Sequence, residues 1–449
     1  MNLALQDKHS SPKDLSSWLS YIESLHPKSI VMGLDRIKQM IARLNLSPRF
    51  TIITVAGTNG KGSSCAMLEQ IYKQGGYQVG CYTSPHLLRY NERVRVNAVE
   101  ASDRELCTAF AAVDAARIDK DGVEISLTYF EMATLAAMWH FMQANLDVVI
   151  MEIGLGGRLD AVNAFEPNCA IVTSVDLDHQ DYLGDTRESI GFEKAGVYRK
   201  AVPAICGDAK PPASLIQHAE EILANFKKIH HDFDYALVEN GWQYLQQGKI
   251  VYTLPKPALE GAYQLANAAC VIAAVESLQA KLPVPCTAMA SAMQRVTLAG
   301  RFQVLAKTKL NTPRVIVDVA HNPHAAQALA DNLKASKAQY TQTNTAKTFA
   351  VFAMLADKDM QGVVNALKSE VDVWYVASIN HSRGAQAADL AKVVLSVLPL
   401  AKIKQFENAS NAYQQACIDM GENDKMIVFG SFFTVASVLQ VISAVDISE

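Results

Sequence analysis

The chain has 449 residues, half of them hydrophobic and 19% charged, with 41 Lys plus Arg against 45 Asp plus Glu. At about 150 residues per domain that allows two or three units with large buried cores and excludes a mainly disordered chain. The net charge of −4 gives no basic field for nucleic acid, and no apolar run approaches the ~20 residues of a membrane span.

Residues 15–44 read as helical, broken near His26-Pro27 by the proline. FTIITVAG, 50–57, is a short apolar run ending in glycine, as expected of a buried parallel strand. A helix follows from Ser63 to about Gln74, and YQVGCYTS, 77–84, predicts a second strand. The stretch 127–146 predicts a long apolar helix, and DVVIMEIG (147–154) and CAIVTSVD (169–176) predict two more buried strands. Strands alternating with helices imply an α/β domain with a parallel sheet. From Asp234 to Pro255 the apolar residues alternate, with turns at 239–241 and 247–248, which predicts a small antiparallel meander. Helices resume at 262–278 and 287–293. After Gly300-Arg301-Phe302 the alternation restarts, with strands expected at 314–320, 348–355, 372–378 and 425–431. The expected division is 1–300 and 301–449, with a hinge near 297–312. The N-terminal segment lacks the apolar stretch of a secretion signal. Eight irregularly spaced cysteines with no C-x-x-C pair read as reduced, packed thiols, and the expected location is cytoplasmic.

The strongest local signal is VAGTNGKGS, 55–63, between a strand and a helix. Its glycines, Gly57, Gly60 and Gly62, let backbone N–H groups approach a polyphosphate, and the helix start adds positive potential. Thr58, Asn59 and Lys61 lie in the cradle, with Lys61 placed to reach the β- and γ-phosphates and Ser63 to offer a hydroxyl to Mg²⁺. The strict G-x-x-x-x-G-K-[ST] pattern fails, because position 55 is Val and Gly62 follows the lysine. A glycine-rich turn before a helix is often only a turn, but the strand–GTNGKGS–helix context favours phosphate binding. Glu152 ends a predicted buried strand, where a carboxylate can hold Mg²⁺. The glycine-rich 154–160 beyond it suggests close backbone approach to a ligand. His179, in SVDLDHQD, would be a structural histidine if taken alone; beside Glu152 and Ser63 a metal role is the better reading. Lys194 alone reads as a surface lysine. Asp318 and His321, in DVAHNPH, put an acid and a histidine at a strand-to-helix turn.

VAGTNGKGS, TSPHL with YNERVRV, IMEIGLGGRLDAVN, SVDLDHQDYLG, EKAGV, GRF and DVAHNPHA occur in that order, and together they make the chain similar to the bacterial dihydrofolate synthase/folylpolyglutamate synthases of the Mur ligase superfamily. The resemblance implies an α/β fold: a P-loop-containing Mur-ligase-type N-terminal domain with a parallel central sheet and small meander, then a Rossmann-like C-terminal domain. It implies ATP-dependent ligation of L-glutamate to dihydropteroate and to reduced folates through an acyl phosphate. Gly57 to Ser63 would hold the ATP phosphates, with Asn267, Arg301 and Asp318 as further ATP contacts. Ser63, Ser84, Glu152 and His179 would hold Mg²⁺, and Lys194 would be carbamylated; a potassium ion belongs to the same implied set. Lys61, His179, Lys194 and His321 would carry the chemistry. The pterin site would be built from Ile30, Val31 and Met32, from Thr128, Tyr129, Phe130 and Glu131, and from Leu159, Asp160 and Ala161. Val31 is a departure, since relatives can carry an acid there. The implied partners are these small molecules alone, with no nucleic acid or membrane, and the protein would be a monomer. Because folates are polyanions, Arg89, Arg93, Arg95, Arg158 and Arg301 are candidates to supply local positive charge.

Two rival readings exist. A Mur ligase acting on a UDP-muramyl precursor shares GTNGK but not TSPHL and GLGGRLDA. A nucleotide-binding switch needs the phosphate loop but has no use for His179, Lys194 and the 318–321 cluster together.

Overall fold

The computed structural model describes residues 12–28, 30–261, 263–305, 314–340 and 346–446. The chain packs as two compact units, Met1–Pro255 with Ala269–Met293, and Lys256–Ala268 with Gln294–Glu449.

The first unit contains β1 (Thr51–Ala56), β2 (Val79–Tyr82), β3 (Val94–Val96), β4 (Val99–Glu100), β5 (Val148–Glu152), β6 (Cys169–Val172), β7 (Pro203–Cys206) and β8 (Asn225–Lys228). They form one sheet in the order β4-β3-β2-β5-β1-β6-β7-β8. Strands β2 to β8 of that order run parallel, and β3 and β4 add an antiparallel hairpin at one edge. β1, β2, β5 and β6 are buried along their whole length, so they read as unbroken apolar runs. β1 lies between β5 and β6, with Val55 in register with Glu152 and Ala56 with Val172. That reversal of strand order opens a crevice at the carboxyl ends, where such sheets bind ligands.

The helix Tyr129–Gln143 is buried on nearly every face and lies in one core cluster with Trp18, Ile37 and Phe110 from three other helices. Its start is set by a reciprocal cap: Thr128 accepts from the Glu131 N–H and Glu131 accepts from the Thr128 N–H. β9 (Phe233–Val238), β10 (Gly241–Gln246) and β11 (Lys249–Leu254) make the expected three-stranded antiparallel meander.

The second unit holds β12 (Gln303–Val304), β13 (Arg314–Val317), β14 (Thr348–Phe352), β15 (Val373–Ala377), β16 (Lys402–Phe406) and β17 (Lys425–Phe429), in the order β12-β13-β17-β14-β15-β16. Only the edge strand β12 runs antiparallel among these described strands. Phe352 and Phe429 stack at 4.8 Å in its core, with Trp374 against both.

The strands expected for both parallel sheets and the meander form, while β7 (PAIC), between β6 and β8, is not among those expected. Nor are the edge elements: β8 (NFKK) and β16 (KIKQF) are lysine-bearing sheet edges without an apolar run. The helix after the phosphate loop starts at Lys61 rather than Ser63, because Gly60, at φ 86°, caps it in the left-handed conformation. Residues 306–312 of the expected hinge lie outside the described residues. Among the described residues no helix is long and apolar enough to cross a membrane.

Candidate active site

The phosphate loop is stitched to the exit of β6. The Thr58 N–H donates to the Ser174 carbonyl at 2.8 Å, and the Asn59 N–H to Ser174 Oγ at 3.1 Å. The Asp176 N–H donates to Thr58 Oγ1 at 2.9 Å, and Thr173 Oγ1 donates to the Asn59 carbonyl at 2.6 Å. Gly57 sits at φ 146°, and a Cβ there would lie 1.9 Å from Thr173 Oγ1, so only glycine fits. Lys61 Nζ curls back to donate to the Gly57 and Thr58 carbonyls at 3.0 and 3.3 Å. Gly62 and the buried Ser63 stand in the first turn of the helix. A left-handed glycine, a helix start and an ammonium thus meet at this turn, an arrangement suited to an anion.

Glu152 ends β5, beside that loop, and is buried. Its Oε2 accepts the Ser84 N–H at 3.0 Å, bringing the exits of β2 and β5 together. His179 lies beyond β6 at the start of the one-turn helix Gln180–Leu183, with φ 53° and a partly exposed side chain. Its Nε2 is 3.9 Å from Asp178 Oδ2. Among the described residues no three His, Cys, Asp or Glu side chains form a ready ligand cluster. The buried carboxylate of Glu152 beside the phosphate loop is the kind of hard oxygen donor that a magnesium ion takes.

Lys194, near the end of the helix Arg187–Ala195, is buried. Burial, and then the charge of Lys61, bring its amine down to about 7, while Asp178 and Asp160 pull the other way. The glycine run packs against this helix end: a Cβ on Gly157 would meet the carbonyls of Glu193 and Lys194 at 2.7 and 3.0 Å. A Cβ on Gly154 would strike the Phe130 ring at 2.6 Å.

The three segments expected to bind the pterin are joined to one another. Arg36 donates from Nη2 to the Val31 carbonyl at 3.1 Å and pairs with Glu131 at 3.0 Å. The Gly33 N–H donates to the Leu159 carbonyl at 3.3 Å. Ile30, Val31, Met32, Tyr129, Phe130 and Leu159 are half-buried, and Ala161 is buried. Both oxygens of Glu131 are engaged by Arg36, and Oε2 also accepts the Thr128 N–H and hydroxyl at 2.9 Å. Asp160 accepts from the Gly154, Leu155 and Val162 N–H groups at 3.1, 2.9 and 2.9 Å. Burial raises its carboxyl to about 7 in spite of them. Arg36 carries no local sequence signal, because its partner lies 95 residues away.

The five candidate arginines do not share one task. Arg95 is locked on buried Glu69 at 2.9 Å and is structural. Arg89 holds Glu100 at the surface, and Arg158 holds Glu193 at 2.7 Å with Phe192 beneath it. Arg93 is buried against the Tyr90 and Tyr129 rings, 5.4 and 5.7 Å from their centroids.

In the second unit, Arg301 lies over Phe432 at 5.3 Å, and His321 approaches the same ring at 6.3 Å. Buried Asp318 accepts the Phe302 and Ala320 N–H groups at 2.7 and 2.8 Å. Burial raises its carboxyl, opposed by Arg301. Asn267 donates to Gln264 at 3.0 Å on the helix Tyr263–Leu278.

Residues 55–275 match the Mur ligase middle domain, and residues 300–432 match the Mur ligase glutamate ligase domain. The dihydrofolate synthase/folylpolyglutamate synthase of Escherichia coli (strain K12) is 43% identical over 96% of this chain and 96% of its own. That of Haemophilus influenzae is 40% identical over 96% and 98%. Escherichia coli FolC in complex with DHPP and ADP superposes with a TM-score of 0.88 at 42% identity, covering 97% of this chain and 99% of that one. The bifunctional folylpolyglutamate synthase/dihydrofolate synthase with Mn, AMPPNP and L-glutamate bound gives 0.85 at 42% identity, over 97% and 98%.

Proposed function

The chain belongs to the Mur ligase family and, within it, to the dihydrofolate synthase/folylpolyglutamate synthases; from that premise we propose that it uses ATP to ligate L-glutamate to dihydropteroate and to the γ-carboxylate of reduced folates. The observation that carries this reading is the meeting of two halves of one crevice. Glu152 touches the Ser84 backbone beside the phosphate loop, and two residues on, Gly154 touches Phe130 of the acceptor segments.

An acceptor carboxylate is a poor electrophile. Transfer of the ATP γ-phosphoryl group makes an acyl phosphate, the amine of glutamate attacks the acyl carbon, and phosphate leaves. Lys61 and the N–H groups of the loop hold the phosphates and offset the charge that develops on them. Ser63, Ser84, Glu152 and His179 are the residues we assign to Mg²⁺, which when bound neutralises charge shared by the β- and γ-phosphates. A buried lysine amine brought down to about 7 supports the assignment of Lys194 as carbamylated: its neutral nitrogen can add CO₂ with loss of a proton, turning a cation into an anion beside Lys61. Asn267, Arg301, Asp318 and His321 of the second unit are assigned to ATP and to the incoming glutamate.

The test is ADP release from purified protein across a panel of acceptors and amino acids. ADP should form only when dihydropteroate or a reduced folate and L-glutamate are both present. Release with a UDP-sugar acceptor instead would overturn the assignment.

A further inference from the structure

We propose that Arg95 is a positioning residue of the ligase reaction: it fixes the exit of β2, and through it Ser84, against the helix Lys61–Gln74, and so sets the spacing of the groups assigned to Mg²⁺; this rests on the function proposed above. The Arg95 side chain is largely buried, and all of its donors are engaged. Nε donates to both oxygens of Glu69 at 3.3 and 3.0 Å, and Nη2 donates to Glu69 Oε2 at 2.9 Å and to Cys81 Sγ at 3.2 Å. Nη1 donates to Thr83 Oγ1 at 3.2 Å and to the Glu92 carbonyl at 2.7 Å. A guanidinium has five N–H donors, so none is left for a ligand. Arg95 therefore acts only through the groups it holds.

The two ends of this contact are what matter. β2 and β3 are paired from Gly80 with Val96 to Tyr82 with Val94, and the Thr83 N–H reaches the Arg93 carbonyl at 2.9 Å. Ser84 lies one residue past that ladder, with its N–H on Glu152 Oε2 at 3.0 Å. Nη1 of Arg95 holds the chain at this point, where the sheet pairing stops.

The other end is Glu69, buried on the helix that starts at Lys61 and carries Ser63 in its first turn. Ser63 and Glu69 are about 9 Å apart along the axis of that one helix, so they move together. Glu69, Arg95 and Thr83 thus form a strut between two residues assigned to Mg²⁺, Ser63 on the helix and Ser84 on the loop. Mg²⁺ demands near-ideal geometry from its donors. Donors supplied by separate segments need something behind them to fix their spacing, and losing such a partner typically costs about 10- to 100-fold in metal affinity.

The test uses wild type, Arg95→Lys, Thr83→Val and Arg117→Lys. Arg95→Lys keeps a cation for Glu69 and loses the fork that reaches Thr83. Thr83→Val removes one hydroxyl acceptor and leaves the ion pair intact. Arg117 is the control, a buried arginine paired with Asp114 and Glu124 at 2.9 and 2.8 Å, neither of them close in sequence to an assigned ligand. The Kd for Mn²⁺ is read from the paramagnetic signal of the free ion, with AMPPNP present and no acceptor, and thermal melting is followed without metal. Arg95→Lys should raise the Mn²⁺ Kd about 10- to 100-fold, and Thr83→Val about 3- to 10-fold, the effect of one hydrogen bond. The Mg²⁺ concentration that half-saturates ADP release should rise by the same factors with dihydropteroate and with tetrahydrofolate. Arg117→Lys should lower the melting temperature and leave the Mn²⁺ Kd unchanged. A Mn²⁺ Kd that neither Arg95→Lys nor Thr83→Val moves, or that Arg117→Lys moves as much, overturns the proposal. If Arg95→Lys does not fold, Thr83→Val against wild type decides by the same criteria. Wild-type protein that releases no ADP with either acceptor would overturn the functional reading instead, while the Mn²⁺ titration, which needs no acceptor, still decides this inference.

Discussion

The phosphate side and the acceptor side of the crevice are held in different ways. Residues 57–60 are fixed by short hydrogen bonds from backbone and hydroxyl groups of the adjoining β6 exit. The acceptor segments come from residues near 30, 130 and 160, and buried carboxylates and an arginine tie them together. The first design makes a rigid cradle that serves any acceptor. The second can be retuned by single side chains without disturbing ATP. Changes on the phosphate side should therefore depress both acceptor reactions equally, and changes on the acceptor side should act through acceptor KM alone.

The largest effect belongs to Lys61→Ala. It should lower kcat about 100- to 1,000-fold with either acceptor, by removing charge stabilisation in the transition state. Thermal melting should be unchanged; an effect confined to one acceptor would break the comparison. Next is Gly57→Ala, whose Cβ would lie 1.9 Å from Thr173 Oγ1 at φ 146°. It should cost about 1–3 kcal/mol of strain. It should also weaken ATP binding, measured by calorimetry, while acceptor binding without ATP is retained.

Arg36→Met probes the other side. It strands buried Glu131 without its partner, at a cost of about 1–3 kcal/mol, and should raise acceptor KM with ATP KM unchanged. Adding Glu131→Gln should recover part of the stability, since the two residues are coupled. Lys194 sharpens the boundary between the sides through pH. In CO₂-free buffer its folded amine titrates near 7 against an ordinary 10.5. Across that window the unfolded chain holds a proton that the folded chain lacks, so stability rises as pH rises through it. Lys194→Met should flatten that rise in urea titrations, and ¹³CO₂ should add a carbamate carbon signal only when Lys194 is present. The smallest effect is expected from Asp208→Asn. Asp208 accepts the Val175 N–H at 2.7 Å and pairs with Arg187, which donates to the Val175 carbonyl at 3.0 Å. Loosening that clamp should cost about 1 kcal/mol and raise ATP KM a few-fold.

The same contrast explains what was legible in the sequence. The phosphate loop, the buried strands and the meander are local patterns, and the molecule forms them nearly where expected. Glu152 could be placed because a strand end is a local feature. The joins between acceptor segments were not legible, because Arg36 meets Glu131 across 95 residues and Arg36 has no local signature. Arg95 illustrates the same limit. Nothing local in YNERVRV separates it from Arg93, but Arg93 ends the short turn Tyr90–Arg93 while Arg95 stands in β3 and pairs with Glu69.

The central claim is that one ATP crevice serves two acceptors. It is tested most directly by ADP release with saturating ATP, L-glutamate and both acceptors present together. If dihydropteroate and tetrahydrofolate compete for one centre, the mixed rate falls between the two separate rates. A mixed rate equal to their sum would mean two independent centres and would contradict the account.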